Sequence, residues 1–455
     1  MLTSLSLRNF KSWREIDALR FAPITGLFGS NSSGKTSILQ LLLLLKQTVE
    51  SSDRTLAIDL GDEHSYVELG TLRDVQWGHE DGPISWDLAW RLTQPREIPD
   101  PDHVASVLFS DDSLRQAAEI GRQRSGRPVV RKMSYEFADH SFDLRGRPAG
   151  GGYELTANGP SSFRLRRSRG RAWDLPEPYK SYGFPDQVNT YFQNAAFLSD
   201  FVLEFEKLCE RIRYLGPLRE YPKRQYTWAG TRPEDVGTRG ERVVDALLSA
   251  RAQGVKINLG RGRRHPFLEE YVGEWLTTLG LIAGFSVVEV AEGSNLYQVK
   301  VRRTTAGSEV LLTDVGFGVS QILPVIVLLF YASRGSVVIL EQPEIHLHPS
   351  VQAGLADVII DAVQRNGIQV VLESHSEHLL QRLQRRVAEE FVSSSDIRLY
   401  FCDFVGAESK ISQLQLDEFG NIANWPAGFF GDPMAEAVAM SQAASRRRRT
   451  GVHTE

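Results

Sequence analysis

Gly29-Ser-Asn-Ser-Ser-Gly-Lys-Thr36 constrains this chain more than any other eight residues. It fits G-x-x-x-x-G-K-[ST], follows an apolar strand pattern at Ile24–Phe28, and opens a helical pattern over Ser37–Val49. Each part of that strand–turn–helix unit has a physical job. Gly29 and Gly34 let the backbone curl until several N–H groups face one phosphate chain. The helix N-terminus adds the positive end of its dipole. Lys35 neutralises the β- and γ-phosphates, and the Thr36 hydroxyl ligates Mg²⁺. Gly29, Ser30, Asn31, Ser32, Ser33, Gly34, Lys35, Thr36 and Ser37 therefore form the expected phosphate cradle. A chance glycine–serine turn has no reason to sit between such a strand and such a helix.

A second signal lies 306 residues beyond Lys35, where the buried-strand run Val337-Val-Ile-Leu340 is followed by Glu341-Gln-Pro-Glu344-Ile-His-Leu-His348-Pro. An apolar strand ending in a carboxylate is the Walker B pattern, and Glu341 is placed to hold a Mg²⁺-bound water at the C-terminal edge of a parallel sheet. A third strand, Val370-Val-Leu372, runs into Glu373-Ser-His375, 34 residues after Glu341. That interval suits one helix and the next parallel strand, so His375 is placed to sense the γ-phosphate; a helix-capping or core histidine is the plainer alternative. A fourth stretch, Thr313-Asp-Val-Gly316-Phe-Gly318-Val-Ser320, precedes a helix at Ile322–Ala332 and resembles a second anion cradle, through Thr313, Gly316, Gly318 and Ser320. His346, His348, His375 and His378 lack a partner Cys or Asp at standard metal-site spacing.

The order of these motifs resembles that of the ABC-type ATPases, and more specifically the RecF, SMC and OLD-like group. The opening Leu5-Ser-Leu-Arg-Asn-Phe10-Lys-Ser, the run Pro343-Glu-Ile-His-Leu-His-Pro349 and Ser374-His-Ser376 carry that resemblance. Tyr214-Leu-Gly-Pro-Leu-Arg219, with Gly237, Gly240 and Glu241, and Trp425-Pro-Ala-Gly-Phe-Phe430 are similar to a bacterial subgroup that ends in a small domain of unknown function. The resemblance implies ATP and Mg²⁺ as cofactors and a cytoplasmic ATPase that forms an ATP-dependent homodimer or higher oligomer. In that dimer Lys35, Thr36, Glu341, Gln342 and His375 come from one chain and the signature loop from the other. It also implies a role in anti-phage defence beside a separate effector protein encoded nearby, with DNA as a possible target. One departure stands out: ABC-type ATPases usually end the Walker B strand Asp-Glu-Pro, but here it ends Glu341-Gln342-Pro343. An amide orients water but is a very poor proton acceptor. Hydrolysis is therefore expected to be slow unless another group, such as Glu344, assists.

Composition narrows the rest. The chain of 455 residues carries 52 basic and 57 acidic residues, net −5, which excludes a uniformly basic nucleic-acid binder. Only 10 of the 52 cations are Lys, a skew attributed first to a GC-rich genome. Local basic clusters remain at Arg122–Lys132, Arg164–Arg171, Arg261–Arg264 and Arg446–Arg449, expected chiefly as solvated faces. Cys209 and Cys402 are too few for a disulfide framework. The longest apolar runs, Leu41–Leu45 and Ile322–Ala332, are far short of the roughly 20 residues of a membrane span, so no membrane is expected and both read as buried helices.

The expected fold is α/β: an ABC-type head, a mixed or mostly parallel sheet wrapped by helices, with a large inserted α+β region and no long coiled coil. Residues 1–95 are expected as the N-terminal half of the head and 96–280 as the inserted arm or lid. Residues 281–405 form the C-terminal half, and 406–455 a small segment with a frayed basic tail. Hairpins are expected at Tyr135–Phe137, Ser141–Leu144, Tyr153–Leu155 and Phe163–Leu165, and helix over Gln187–Arg213. Four alternatives compete with the ATPase switch. A transporter's nucleotide-binding subunit lacks support because no LSGGQ-type signature is present. A nuclease in the same chain would need more than the roughly 60 residues after the head, which hold Asp403, Glu408, Asp417 and Glu418 without an Asp-x-Asp pair. An ATP-stabilised scaffold that cages an effector, with minimal hydrolysis, fits Gln342; a RecF-like DNA-repair ATPase is the remaining reading.

Overall fold

Burial alternates along the first strands, so each presents one apolar face. β1 (Leu2–Phe10) buries Leu2, Leu5, Leu7 and Phe10, and β2 (Trp13–Arg20) buries Trp13, Ile16 and Leu19. β3 (Ile24–Gly29) is buried throughout and runs through the glycine turn into α1 (Lys35–Glu50). The structure, a computed structural model, describes residues 1–99, 107–147, 151–160, 163–170, 173–426, 438 and 440–443. A short helix α2 (Leu72–Val75) precedes β4 (Ile84–Pro99), β5 (Val107–Arg122), β6 (Pro128–Phe137), β7 (His140–Gly146) and β8 (Tyr153–Asn158). These strands and the first two make one antiparallel sheet in the order β2-β1-β4-β5-β6-β7-β8.

The expected boundary at residue 95 falls inside β4, and the strands after it extend the sheet begun by β1 and β2. The Phe163–Leu165 segment is not a strand. The Asn194 side chain claims its neighbours instead, accepting from Arg166 N–H at 2.8 Å and donating to Arg164 C=O at 2.9 Å, so the ladder groups are already used. The Gln187–Arg213 stretch is also interrupted, giving α3 (Val188–Tyr191), α4 (Leu198–Glu210) and then β9 (Ile212–Leu215). Ile212-Arg-Tyr-Leu215 is β-branched and aromatic at alternate positions, which suits the edge strand it becomes.

The remaining chain completes the head. β10 (Tyr226–Thr227), α5 (Val243–Ala252), α6 (Leu268–Thr278), β11 (Gly284–Glu289), β12 (Leu296–Arg302) and β13 (Glu309–Leu311) lead to α7 (Phe317–Tyr331). Then β14 (Val337–Glu341), α8 (Pro349–Asn366), β15 (Gln369–Glu373), α9 (Glu377–Ala388), β16 (Ile397–Val405) and β17 (Glu408–Leu414) alternate. The head sheet runs β17-β16-β3-β15-β14-β9, parallel except for β17.

This sheet is covered on both faces, so its inner strands β14 and β15 carry unbroken apolar runs, Val337–Leu340 and Val370–Leu372. Val337 and Ile339 face a core shared with α1 and the antiparallel sheet, while Val338 and Leu340 face a second core with α5 to α9. Burial on all sides explains the two longest apolar runs: Leu41–Leu45 of α1 are at most 1% exposed, and Ile322–Phe330 of α7 at most 3%. No helix among the described residues is long and apolar enough to cross a membrane. The C-terminal segment expected from residue 406 begins as β17, a strand of the head sheet. Arg446–Arg449, the frayed tail and residues 427–430 of the Trp425–Phe430 motif lie outside the described residues.

Candidate nucleotide site

In an open parallel sheet, ligands bind beyond the C-terminal strand ends where the winding reverses. Here β3 has β15 on one side and β16 on the other, and the Gly29–Thr36 turn leaves its C-terminal end. Gly29 has φ 138°, and a Cβ there would meet the Cys402 carbonyl oxygen at 1.9 Å, so only glycine fits. Gly34 has φ 90° and closes the turn, its C=O accepting from Trp13 Nε1–H at 2.9 Å, which ties the loop to the antiparallel lobe. Ser30, Asn31 and Ser32 are exposed; Ser33 and Ser37 are buried. The Lys35 ammonium is 2% exposed and folds back on its own loop, donating to the carbonyls of Gly29 (3.2 Å) and Ser30 (2.7 Å) and to Ser33 Oγ (3.4 Å). Burial lowers its pKa.

Glu341 and His375 come to the same edge because β15 separates β14 from β3 by a single strand. Glu341 and Glu373 are register partners at the ends of β14 and β15. Glu341 Oε2 accepts from the Tyr214 hydroxyl at 2.7 Å, and Tyr214 stands on β9, the next strand out. Glu373 Oε2 accepts from Thr36 Oγ1–H at 2.7 Å, and its Oε1 lies 3.9 Å from Lys35 Nζ. Burial, and then mutual repulsion, raise the pKa of Glu341; burial raises that of Glu373. Gln342 has φ 44°, its N–H donates to Glu373 C=O at 2.9 Å, and its side-chain amide bonds the Glu373 carboxylate. Burial and the nearby Lys35 lower the pKa of His375, against a bond to the Gly29 backbone, which favours the neutral ring beside the phosphate loop.

A family model described as an AAA domain, putative AbiEii toxin, Type IV TA system, matches residues 24–381. The chain belongs to that family. A second model, described as a protein of unknown function (DUF3696), matches residues 392–439. No curated protein matches this sequence. Among solved structures, the chain is similar to an SmcHead bound to the C-winged helix domain of ScpA, at 12% identity over 92% of this chain and 98% of that one, with a TM-score of 0.46. It is similar to the SMC head domain from Thermotoga maritima at 11% identity over 91% and 99%, TM-score 0.39. It is also similar to the Smc head domain with an extended coiled coil from Pyrococcus furiosus, at 9% identity over 91% and 96%, TM-score 0.43.

In this AAA-family head, Thr36, Glu341 and Glu373 make a hard-oxygen donor set beside a phosphate loop, which fits Mg²⁺. Glu373 is the member that the sequence patterns leave unassigned, and Tyr214, quoted there only as part of a subgroup motif, is the donor that holds Glu341. Glu373 precedes a histidine that absorbs the functional signal of its strand, although a carboxylate ending an apolar strand is the same pattern that marked Glu341. Glu344 is turned toward the strand loop: it is 6% exposed and its Oε1 accepts from His375 N–H at 2.6 Å, so it positions the histidine segment. His346 packs its ring on Phe317 at 5.3 Å, and His348 caps α8 through Ser350. No group of three or more metal-ligating side chains gathers among the described residues.

The signature-loop residues bond locally rather than to this cluster. Gly316 caps α7 and is exposed, Gly318 is half-buried, Thr313 Oγ1–H donates to Asp314 Oδ1 at 3.2 Å, and Ser320 Oγ–H donates to Phe317 C=O at 2.7 Å. Among the described residues none of the four bonds to the phosphate loop of its own chain. Of the basic clusters, Arg122 pairs with Asp81, Lys132 with Asp143 at 3.0 Å, and Arg264 with Glu270 at 2.7 Å.

Proposed function

We propose that this chain binds Mg·ATP at Gly29–Ser37 and hydrolyses it slowly, and that ATP drives two heads together to switch an effector partner or DNA. The observation that carries this is the cluster of Lys35, Thr36, Glu373, Glu341 and His375 at the sheet edge, with the Thr313–Ser320 loop of the same chain outside it. Bound Mg·ATP supplies the electrophilic γ-phosphoryl group and the charge that Lys35 meets when it leaves its own carbonyls. Thr36 and the two strand-end carboxylates hold the metal side. Neutral His375 donates toward the γ-phosphate, and Gln342 orients the attacking water without accepting its proton.

Single-turnover hydrolysis of wild type and Gln342→Glu tests the brake. The substitution should speed the chemical step by roughly a hundredfold, the lower range for a positioned base; an unchanged rate sinks the idea. Gly318→Arg should leave ATP binding by one chain intact and abolish ATP-dependent dimerisation on a sizing column, and an ATP-dependent dimer in the variant refutes the trans arrangement. The resemblance to defence ATPases supports anti-phage defence, and the family's link to a putative toxin of a toxin–antitoxin system supports action beside an effector. The Gln342 amide also favours the scaffold reading, in which ATP holds an effector caged and turnover is minimal. If DNA is the target, affinity should fall steeply with salt.

A further inference from the structure

Arg219 ends the Tyr214-Leu-Gly-Pro-Leu-Arg219 run, four residues beyond β9. β9 is paired to β14 as far as Leu215 opposite Leu340, so the loop after it leaves the sheet at the edge that carries Glu341 and Gln342. The Arg219 side chain is buried, 6% exposed, yet none of its three guanidinium nitrogens has a hydrogen-bond partner among the described residues. A guanidinium carries five N–H donors and cannot shed its charge to escape burial. Burial pulls its pKa down to about 10 against the charges of Tyr214, Glu341 and Glu344.

Those neighbours do not bond it. Glu341 accepts from Tyr214 and Glu344 Oε1 from the His375 backbone, while Glu344 Oε2 is buried without a partner among the described residues, so the fold brings negative charge near the guanidinium without a hydrogen bond to it. The loop holds Arg219 firmly. Gly216 N–H donates to Thr238 C=O at 2.8 Å and Glu220 N–H to Arg239 C=O at 2.9 Å. Beyond it, the Tyr221 ring packs on Phe317 at 5.5 Å, and Arg224 pairs with Asp314 at 3.2 Å. β9 and the loop after it thus touch the Walker B carboxylate through Tyr214 and the signature loop through Tyr221 and Arg224.

We propose that Arg219 is an anion-binding side chain of the nucleotide site, its guanidinium taking the terminal phosphate of a nucleoside triphosphate held by the phosphate loop of the same chain. This rests on the ATP reading above and adds a residue that tells triphosphate from diphosphate. The planar fork matches two phosphate oxygens, and the terminal phosphate it would take is the group a diphosphate lacks. Because the same loop packs on Phe317 and Asp314, the phosphate that Arg219 binds is also communicated to the face where a second head is expected.

The test is calorimetric titration of the full chain with Mg·ATPγS and with Mg·ADP. Arg219→Gln should weaken ATPγS by roughly ten- to a hundredfold, the range for one charge-assisted hydrogen-bonding group, and leave ADP unchanged. Arg219→Lys should recover part of the loss, and it decides the matter alone if the glutamine variant does not fold. Equal losses for both nucleotides mean a structural arginine and overturn the proposal, as does no loss for either. A wild-type chain that binds neither nucleotide overturns the ATP reading itself, and this inference with it. Wild-type binding of both, with a variant that fails to discriminate, overturns only the role of Arg219.

Discussion

Glu373→Gln separates what the strand-end carboxylates do for the fold from what they do for a metal. Glu373 is 2% exposed and stands in register beside Glu341. Adjacent strands place the two carboxylates about 5 Å apart, so at an effective dielectric of about 20 they repel by about 3 kcal/mol. Against that, Glu373 Oε1 lies 3.9 Å from Lys35, an attraction of about 4 kcal/mol at the same dielectric. The amide keeps an oxygen to accept from Thr36. The two charge terms nearly cancel, and burial, the largest influence on Glu373, disfavours its charged form, so the variant should be no less stable than wild type near neutral pH. Mg²⁺ held as proposed would see no such cancellation, because one of the two strand-end carboxylates would be gone. The Mg²⁺-dependent gain in ATP affinity should fall by roughly ten- to a hundredfold, as when a metal site loses one supporting group.

The pH profile supplies the sign. Burial raises the pKa of Glu373 above 4.5 in the folded chain. The folded state therefore holds this proton more tightly than the unfolded one. Its contribution is fully present below the unfolded value and is lost as pH rises through the folded one. Wild-type stability should decline from pH 4.5 upward, and Glu373→Gln should make that decline shallower, with Glu341 still contributing. Urea melts across pH and nucleotide titrations with and without Mg²⁺ read both quantities. A variant that loses several kcal/mol, or keeps the full Mg²⁺ dependence, refutes the placement of Glu373 beside the metal.

Gly29→Ala should cost about 3 kcal/mol or more in urea denaturation, from a left-handed backbone and a clash with the Cys402 carbonyl; an unchanged midpoint contradicts the glycine argument. Tyr214→Phe removes the only described donor to Glu341 Oε2 and should cost about 1–3 kcal/mol at pH 8. Less should be lost at pH 5, where more of that carboxyl is protonated, and a pH-independent loss speaks against the bond. Asp357→Asn breaks the clamp of Asp357 on Arg382 and Arg386 (2.6 Å to Nε), which ties α8 to α9 behind the site. It should cost about 1–3 kcal/mol by thermal melting, and an unshifted melt refutes the clamp.

The phosphate loop was legible because its chemistry is local: strand, turn, cation and hydroxyl are contiguous, and two glycines are required by the backbone. The parallel half of the head was legible for a similar reason, since strands buried on both faces leave continuous apolar runs at 337–340 and 370–372. The antiparallel lobe was less so. Its longest strands, β4 and β5, alternate imperfectly and contain register shifts, so period two is broken where the sheet bends. β9 was hidden behind a helix pattern because four residues at a sheet edge carry too little periodicity to be seen.

The site's residues differ in the same way. Lys35 and Thr36 open α1 and Glu341 ends β14, whereas Tyr214, Arg219 and Glu373 matter through neighbours on other elements. The Gln342 departure gains a different meaning from that adjacency. Read along the chain, a carboxylate is missing after Glu341. Across the sheet, Glu373 stands in register with Glu341, and the Gln342 amide is bonded to it. A glutamate at 342 would add a third carboxylate to a buried pair already held above its ordinary pKa. The amide is thus the residue that lets two strand-end carboxylates be buried side by side. The substitution that should accelerate hydrolysis is, by the same electrostatics, one that should destabilise the metal-free head as pH rises.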